Sequence, residues 1–86
     1  MISKTIFQIE DVFSITGLGT LVVGTLKQGT IRKGMKTAIN GKETEVLSIR
    51  QSKKIIDTLW EPGSKAALLL SNVDKKDITR REIYFK

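Results

Sequence analysis

IEDVFSITGLGTLVVGT, residues 9–25, is the stretch that decides the fold of this chain. Its two halves are rich in β-branched and aromatic residues, and Gly17 and Gly19 interrupt it in the middle. β-Branched and aromatic side chains favour strands, whereas glycine favours tight turns. The stretch therefore predicts a β-hairpin whose turn contains both glycines.

The first half of this hairpin changes its hydrophobic phase near Glu10 and Asp11. Val12 is out of step with the apolar residues around it, which are Phe7, Ile9, Phe13 and Ile15. One extra residue in a strand reverses the facing of everything after it. We therefore expect a β-bulge near Glu10 and Asp11. In the second half, Gly24 predicts a close backbone approach or a kink.

The rest of the chain reads as further short strands and tight turns. Asn40-Gly41 is typical of a type I′ hairpin turn, and Pro62-Gly63 of a second turn. Ile31, between Gly29 and Gly34, is expected to plug one end of the core. Strands are predicted over residues 6–15, 20–26, 35–39, 43–50, 55–60, 65–71 and 82–85, a loop over 51–54 and a 3₁₀ turn within 73–79.

Six or seven short strands without a long helix predict an all-β fold. Closing such a sheet into a barrel removes its exposed edges. We therefore expect a closed antiparallel barrel, with residues 1–86 forming one domain.

Composition excludes several classes of function. The 86 residues contain no Cys and no His, which excludes disulfides, Ser/His hydrolases and the usual zinc sites. No P-loop pattern occurs, and Gly17-Leu18-Gly19 lacks the third glycine of a dinucleotide fingerprint. No apolar run is long enough for a membrane span. We therefore expect a cytoplasmic, non-enzymatic protein with no cofactor, no metal and no membrane partner.

Net charge favours a polyanionic partner such as RNA. The formal charge is +6 at pH 7. Solvated loops are the simpler explanation of the basic residues, because they fall near turns among acidic ones. Trp60, the sole Trp, has two interpretations as well: a base-stacking platform, or an end cap on the core, which is the commoner role. The candidate phosphate contacts are Arg32, Lys33, Lys53, Lys54, Arg80 and Arg81.

Residues 9–25, followed by Gly29-x-Ile31-x-x-Gly34, closely resemble the second domain of elongation factor Tu and related translational GTPases. The resemblance continues through Pro62-Gly63 and the leucines of residues 68–70 to Asp77-Ile78-x-Arg80. It implies a small closed Greek-key β-barrel of six or seven strands.

The resemblance also implies a pocket for the 3′ end of a tRNA. Its matching positions are Glu10, Ile15, Leu21 and Leu69, one carboxylate and an apolar clamp for the terminal adenosine. Gly17 and Gly19 would let the RNA approach the backbone. The chain departs from the family at Leu18, where elongation factor Tu has Arg, and at Ala67, Asn72 and Arg81, which replace glycines.

Two functions follow as hypotheses. The first is a module that binds the 3′ end of tRNA or ribosomal RNA, either as a domain of a larger translational GTPase or as a free-standing relative. The alternative is a protein-interaction module that docks on a GTPase domain, in cis or in trans, or on itself through Leu18 and Leu21, with a monomer favoured. An enzyme is the third choice: related barrels occur in flavin reductases, but their Arg-x-Tyr-Ser motif is absent.

Overall fold

The computed structural model describes residues 4–85, which form nine β-strands and one 3₁₀ turn at Lys75–Asp77. Every strand predicted from the sequence is present, although the one expected over residues 55–60 is divided into two. The strands are β1 (Thr5–Ile15), β2 (Gly19–Gln28), β3 (Ile31–Arg32), β4 (Lys36–Ile39), β5 (Lys42–Gln51), β6 (Lys54–Ile56), β7 (Thr58–Leu59), β8 (Lys65–Leu70) and β9 (Glu82–Phe85).

Six of these strands make a nearly closed antiparallel barrel. They pair in the order β4-β5-β8-β2-β1-β9, while β6 adds to β5 and β3 pairs with β7 in a separate two-stranded ribbon. Because β8 lies between β2 and β5, strands distant in sequence are neighbours, as in a Greek key. The barrel predicted from the sequence is confirmed. Between its end strands β4 and β9, the Thr37 hydroxyl donates a hydrogen bond to the Tyr84 carbonyl at 2.5 Å.

The core fills the inside of the barrel. Phe7 and Phe85 are its largest side chains, and Ile31, which was predicted to plug one end of the core, is fully buried. The interpretation of Trp60 as an end cap is wrong, since that side chain is 66% exposed and Leu59 is buried beside it. The buried apolar residues are Phe7, Ile9, Val22, Leu26, Ile31, Val46, Ile49, Leu59, Ala66, Leu68, Leu70, Val73, Ile83 and Phe85.

The predicted bulge in β1 is confirmed. The register between β1 and β2 shifts between Ile9 and Asp11, which leaves Glu10 without a partner in β2. Ile9 points into the core before the shift, and Val12 packs against the core after it. Phe13 consequently points outward and is 48% exposed.

Both predicted turns are confirmed, but one predicted loop is shorter than expected. Asn40 and Gly41 have positive φ angles of 51° and 77°, as a type I′ turn requires. After Pro62, Gly63 has φ 90°, and the Ser64 N–H donates to the Glu61 carbonyl across the turn. The loop expected over residues 51–54 is limited to Ser52 and Lys53, because β5 and β6 extend into it.

Candidate nucleic-acid interface

Three apolar side chains from neighbouring strands form a row on the outer face of the barrel. Leu21 of β2 lies opposite Leu69 of β8 on one side and opposite Phe13 of β1 on the other. Directly opposite residues in antiparallel strands share one face, with Cβ atoms about 4.5–5.5 Å apart. Because Val22 and Leu68, the next residues along β2 and β8, are fully buried, this row points outward.

Ile15 extends the row toward the hairpin turn. It lies two residues beyond Phe13 on the same face, and its partner in β2 is Gly19. Because Gly19 has no side chain, β8 approaches it closely, and Leu69 lies beside it. Leu69 Cδ1 is 3.8 Å from the point at which a Cβ of residue 19 would stand. We call Phe13, Ile15, Leu21 and Leu69 the outer patch.

Glu10, the fourth predicted pocket residue, does not join the outer patch. Its Oε2 accepts a hydrogen bond from the Thr25 hydroxyl at 3.0 Å, and its Oε1 is 3.7 Å from Lys65 Nζ. Thr25 and Lys65 are opposite each other, four residues along β2 and β8 from Leu21 and Leu69. That spacing corresponds to about 13 Å. The structure therefore brings Ile15, Leu21 and Leu69 together and leaves the carboxylate apart from them.

The two glycines of the hairpin turn differ in what surrounds them. Gly17, with φ 81°, has open space where a side chain would project, so its backbone is accessible. At Gly19 a side chain would meet the Leu70 carbonyl of the adjacent strand. The protein's own β8 therefore explains the glycine at position 19.

The predicted phosphate contacts are all exposed but fall into two groups. The first group borders β3, β6 and β7, where the Lys33 N–H donates to the Asp57 carbonyl at 2.9 Å. The second lies beside β1, where the Ile9 N–H donates to the Arg81 carbonyl at 2.5 Å. The first group is Arg32, Lys33, Lys53 and Lys54, and the second is Arg80 and Arg81.

Sequence reasoning missed one residue of the outer patch. Phe13 was grouped with the apolar alternation of β1, although the predicted bulge turns it outward. Applying the phase reversal to every residue after Asp11 would have identified it.

An ionic cluster that the sequence did not reveal links the 3₁₀ turn to the β4–β5 hairpin. The buried carboxylate of Asp77 accepts hydrogen bonds from Lys42 Nζ at 2.8 Å, Asn40 Nδ2 at 2.9 Å and the Asp74 N–H at 2.9 Å. These hydrogen bonds, with Lys42 the largest contributor, hold the pKa of Asp77 well below its ordinary range. The same contact raises the pKa of Lys42.

Two concavities lie away from the outer patch. A cavity of about 370 Å³ opens between β4 and β9, lined by Ile39, Asp77, Tyr84 and their neighbours. A shallower groove of about 620 Å³ runs along the β1 bulge, with Glu10, Arg80 and Arg81 on its walls. Neither concavity is lined by Ile15, Leu21 or Leu69.

Residues 4–85 contain no group of three Asp, Glu, His or Cys side chains that could hold a metal ion. Over the same residues, no helix has the length and apolar character needed to cross a membrane.

The fold and this surface define a small, nearly closed antiparallel β-barrel with an apolar patch on its outside. Residues 19–81 match the family model of elongation factor Tu domain 2, and the chain belongs to that family of β-barrel modules from translational GTPases. It is also similar to the apo form of translation elongation factor SelB from Methanococcus maripaludis, with a TM-score of 0.85 and 27% identity over 98% of this chain. The chain spans 19% of that SelB chain.

Proposed function

We propose that this domain binds RNA through the outer patch, which takes unpaired bases from the 3′ end of a tRNA or from ribosomal RNA. The observation that carries the proposal is the outward row of Phe13, Leu21 and Leu69 across three adjacent strands. Single-stranded RNA is recognised through bases that stack on aromatic and apolar side chains. The exposed ring of Phe13 supplies such a face.

Positive charge continues from the outer patch along the same face. Arg50 lies opposite Ala67, which is two residues along β8 from Leu69, and Lys65 follows two residues further. Both cations are exposed, although Glu10 partly neutralises Lys65 at 3.7 Å. A strand whose terminal base sits on the outer patch would therefore pass Arg50, whose guanidinium is suited to phosphate.

The module binds RNA as part of a cytoplasmic translation apparatus, and it catalyses no reaction itself. It acts beside a GTPase domain in cis or in trans. The SelB chain, described as a translation elongation factor, carries a similar barrel as about a fifth of its length. Glu10 remains a predicted hydrogen-bond acceptor for the RNA, at a position beyond the apolar clamp.

Titration of labelled tRNA tests this proposal. We expect binding that weakens with salt, with a slope of log K against log salt of about −0.7 to −0.9 per neutralised phosphate. Phe13→Ala is expected to lower the affinity about fivefold or more, since one stacked base is lost. A tRNA that lacks its unpaired 3′ nucleotides should bind the wild-type protein with an affinity lowered by about the same factor.

Tyr84→Ala is the matched control for this experiment. Tyr84 is an aromatic residue of similar exposure, 45% against 48% for Phe13, but it lies on β9. The Tyr84→Ala variant should bind tRNA as the wild type does, and circular dichroism would show that both variants are folded. Absence of tRNA binding at low salt, or equal losses in the two variants, would refute RNA binding by the outer patch.

Docking on a GTPase domain is the second candidate. Leu18 favours it, because this apolar side chain is 61% exposed at the tip of the β1–β2 hairpin. Leu18→Arg should abolish capture of a purified translational GTPase domain. If the domain docks on a second copy of itself instead, light scattering of the wild type would detect that self-association. RNA binding by the outer patch should instead persist in Leu18→Arg, so the variant separates the two functions.

A further inference from the structure

We propose that the β3–β7 ribbon is a second RNA-binding site, on which Trp60 stacks against a base of single-stranded RNA and Arg32 contacts the adjacent phosphate. The site lies on a different part of the barrel from the outer patch. It therefore goes beyond the function proposed above and can be tested separately.

Trp60 presents a free aromatic face. Its neighbour Leu59 is 2% exposed and pairs with Ile31, so Leu59 points into the barrel. Because successive strand residues face opposite ways, Trp60, immediately after β7, projects outward. Its side chain is 66% exposed, more than any other aromatic side chain among residues 4–85. The indole is therefore available to a ligand.

Arg32 shares the outward face of the ribbon. It pairs with Thr58, two residues before Trp60. Diagonal neighbours of this kind in antiparallel strands lie about 7–8 Å apart, within reach of long side chains. The exposure of Trp60 shows that Arg32 does not cover the ring. The planar indole can therefore stack on a base while the guanidinium binds the phosphate next to that base.

The charge around the ribbon favours RNA over an acidic protein or a neutral ligand. Lys53 and Lys54, at the start of β6, extend the basic surface from the ribbon onto the β5–β6 pair. A positively charged surface beside an aromatic platform is typical of single-stranded nucleic-acid sites. The exposed basic residues here are Arg32, Lys33, Lys53 and Lys54, against the acidic residues Asp57 and Glu61.

The ribbon is well separated from the outer patch. The turn that follows Trp60 is fixed to β2 at Leu26, whose carbonyl accepts from the Gly63 N–H at 2.7 Å and whose N–H donates to the Ser64 carbonyl at 2.9 Å. Leu26 is five residues along β2 from Leu21, which corresponds to about 17 Å. One site can therefore fail without the other.

Intrinsic fluorescence tests the second site directly, because Trp60 is the sole Trp in the sequence. The probes are oligouridylate and oligoadenylate of about ten nucleotides, a length that covers a typical single-strand site. We expect saturable quenching of the indole emission that weakens as salt rises. Anisotropy of a labelled copy of each oligonucleotide gives the affinity of variants that lack the indole.

In the Phe13→Ala background, which weakens the outer patch, Trp60→Ala is expected to weaken oligonucleotide binding about tenfold further, whereas Trp60→Phe, which keeps an aromatic face, should stay within about threefold of Phe13→Ala alone. Arg32→Gln should reduce the steepness of log K against log salt by about one unit, because one phosphate contact is lost. Tyr84→Ala, on β9 and outside the ribbon, should bind as the wild type does.

Four results would overturn the proposal. They are RNA binding without quenching, no further loss of affinity when Trp60→Ala is added to Phe13→Ala, no oligonucleotide binding at low salt, and stronger quenching by polyglutamate than by RNA, which would indicate an acidic protein partner. Phe13→Ala alone distinguishes the sites. A fivefold or larger loss of tRNA affinity in that variant with Trp60 quenching intact supports both proposals, and wild-type tRNA affinity with quenching intact refutes only the outer patch.

Discussion

At the scale of single residues, Gly24 shows how closely the strands approach one another. A Cβ at this position would collide with the Gln8 carbonyl of β1 and crowd the Phe7 ring. We expect Gly24→Ala to lower the free energy of unfolding by about 3 kcal/mol, because the clash involves backbone that cannot move without disturbing the barrel. Urea denaturation measures the loss.

Gly41→Ala is the control for this substitution. Position 41 also requires glycine, because its φ is 77°, but there is open space where a side chain would project. Its cost should be about 1 kcal/mol, the strain of a left-handed alanine alone. A loss at Gly24 no larger than the loss at Gly41 would contradict the close approach.

Two buried threonines have hydroxyls with opposite roles. Thr20 and Thr44 are both 1% exposed, but Thr20 Oγ1 donates to the Val73 carbonyl at 2.5 Å, while Thr44 Oγ1 has no partner among residues 4–85. Thr20→Val should therefore destabilise the protein by about 1–3 kcal/mol, since it leaves a buried carbonyl unpaired. Thr44→Val should be neutral or stabilising by up to about 1 kcal/mol.

Thermal or urea unfolding of the two variants side by side checks this contrast. Each variant is the control for the other, because the chemical change and the burial are the same. Equal destabilisation of both would show that the loss of shape, and not the hydrogen bond, governs these sites.

At the scale of elements, strands and turns follow directly from local sequence chemistry. Asn40, Gly41 and Gly63 adopt the positive φ angles that their turns need, and the phase change around Glu10 and Asp11 identified the bulge. Asn72, which can adopt a left-handed conformation, has φ 54°. Arg81 does not adopt a positive φ, and its carbonyl accepts a hydrogen bond from the Ile9 N–H.

The candidate sites depended on long-range geometry that local patterns do not contain. Leu21 and Leu69 meet because β8 pairs with β2, although the two residues are 48 positions apart in the sequence. Glu10 is close to Ile15 in sequence, but it lies further along the barrel, beside Thr25 and Lys65, because each strand residue adds about 3.3 Å. Trp60 is exposed because Leu59 takes the buried position next to it, an alternation that two residues of strand are too short to reveal.

The cluster around Asp77 couples the stability of the 3₁₀ turn to pH. The pKa of Asp77 is lower in the folded state than in the unfolded state. Its ionised carboxylate therefore stabilises the fold fully above the unfolded pKa of about 3.9. This stabilisation is lost as pH falls from there through the folded pKa. Asp77→Asn should therefore be less stable than the wild type at pH 7, and the difference should shrink below pH 4.

Urea denaturation between pH 7 and pH 2 measures this dependence. Asp74→Asn is the control, because Asp74 is 65% exposed and its carboxylate is 3.9 Å from Lys42 Nζ, whereas Asp77 is buried and hydrogen-bonded. Asp74→Asn should retain the acid dependence of the wild type. A difference between wild type and Asp77→Asn that stays constant from pH 7 to pH 2 would contradict the role of the ionised carboxylate.

At the scale of the whole molecule, the strand order sets a gradient of local stability. β2 and β8 are paired on both sides, whereas β4 and β9 are each paired on one side and face each other across the seam. Amides that open only with the whole core exchange most slowly. We therefore expect β2 and β8 to show the slowest hydrogen exchange and β4 and β9 the fastest among the barrel strands.

The hydrogen bond from Thr37 to the Tyr84 carbonyl connects the two sides of this seam. Thr37→Val removes it without shortening the side chain, so exchange should accelerate in β4 and β9 together, by about five- to tenfold for a bond contributing about 1 kcal/mol. Exchange in β2 and β8 should change less. Faster exchange in β4 alone would mean that the barrel closes by packing and that each edge opens independently of the other.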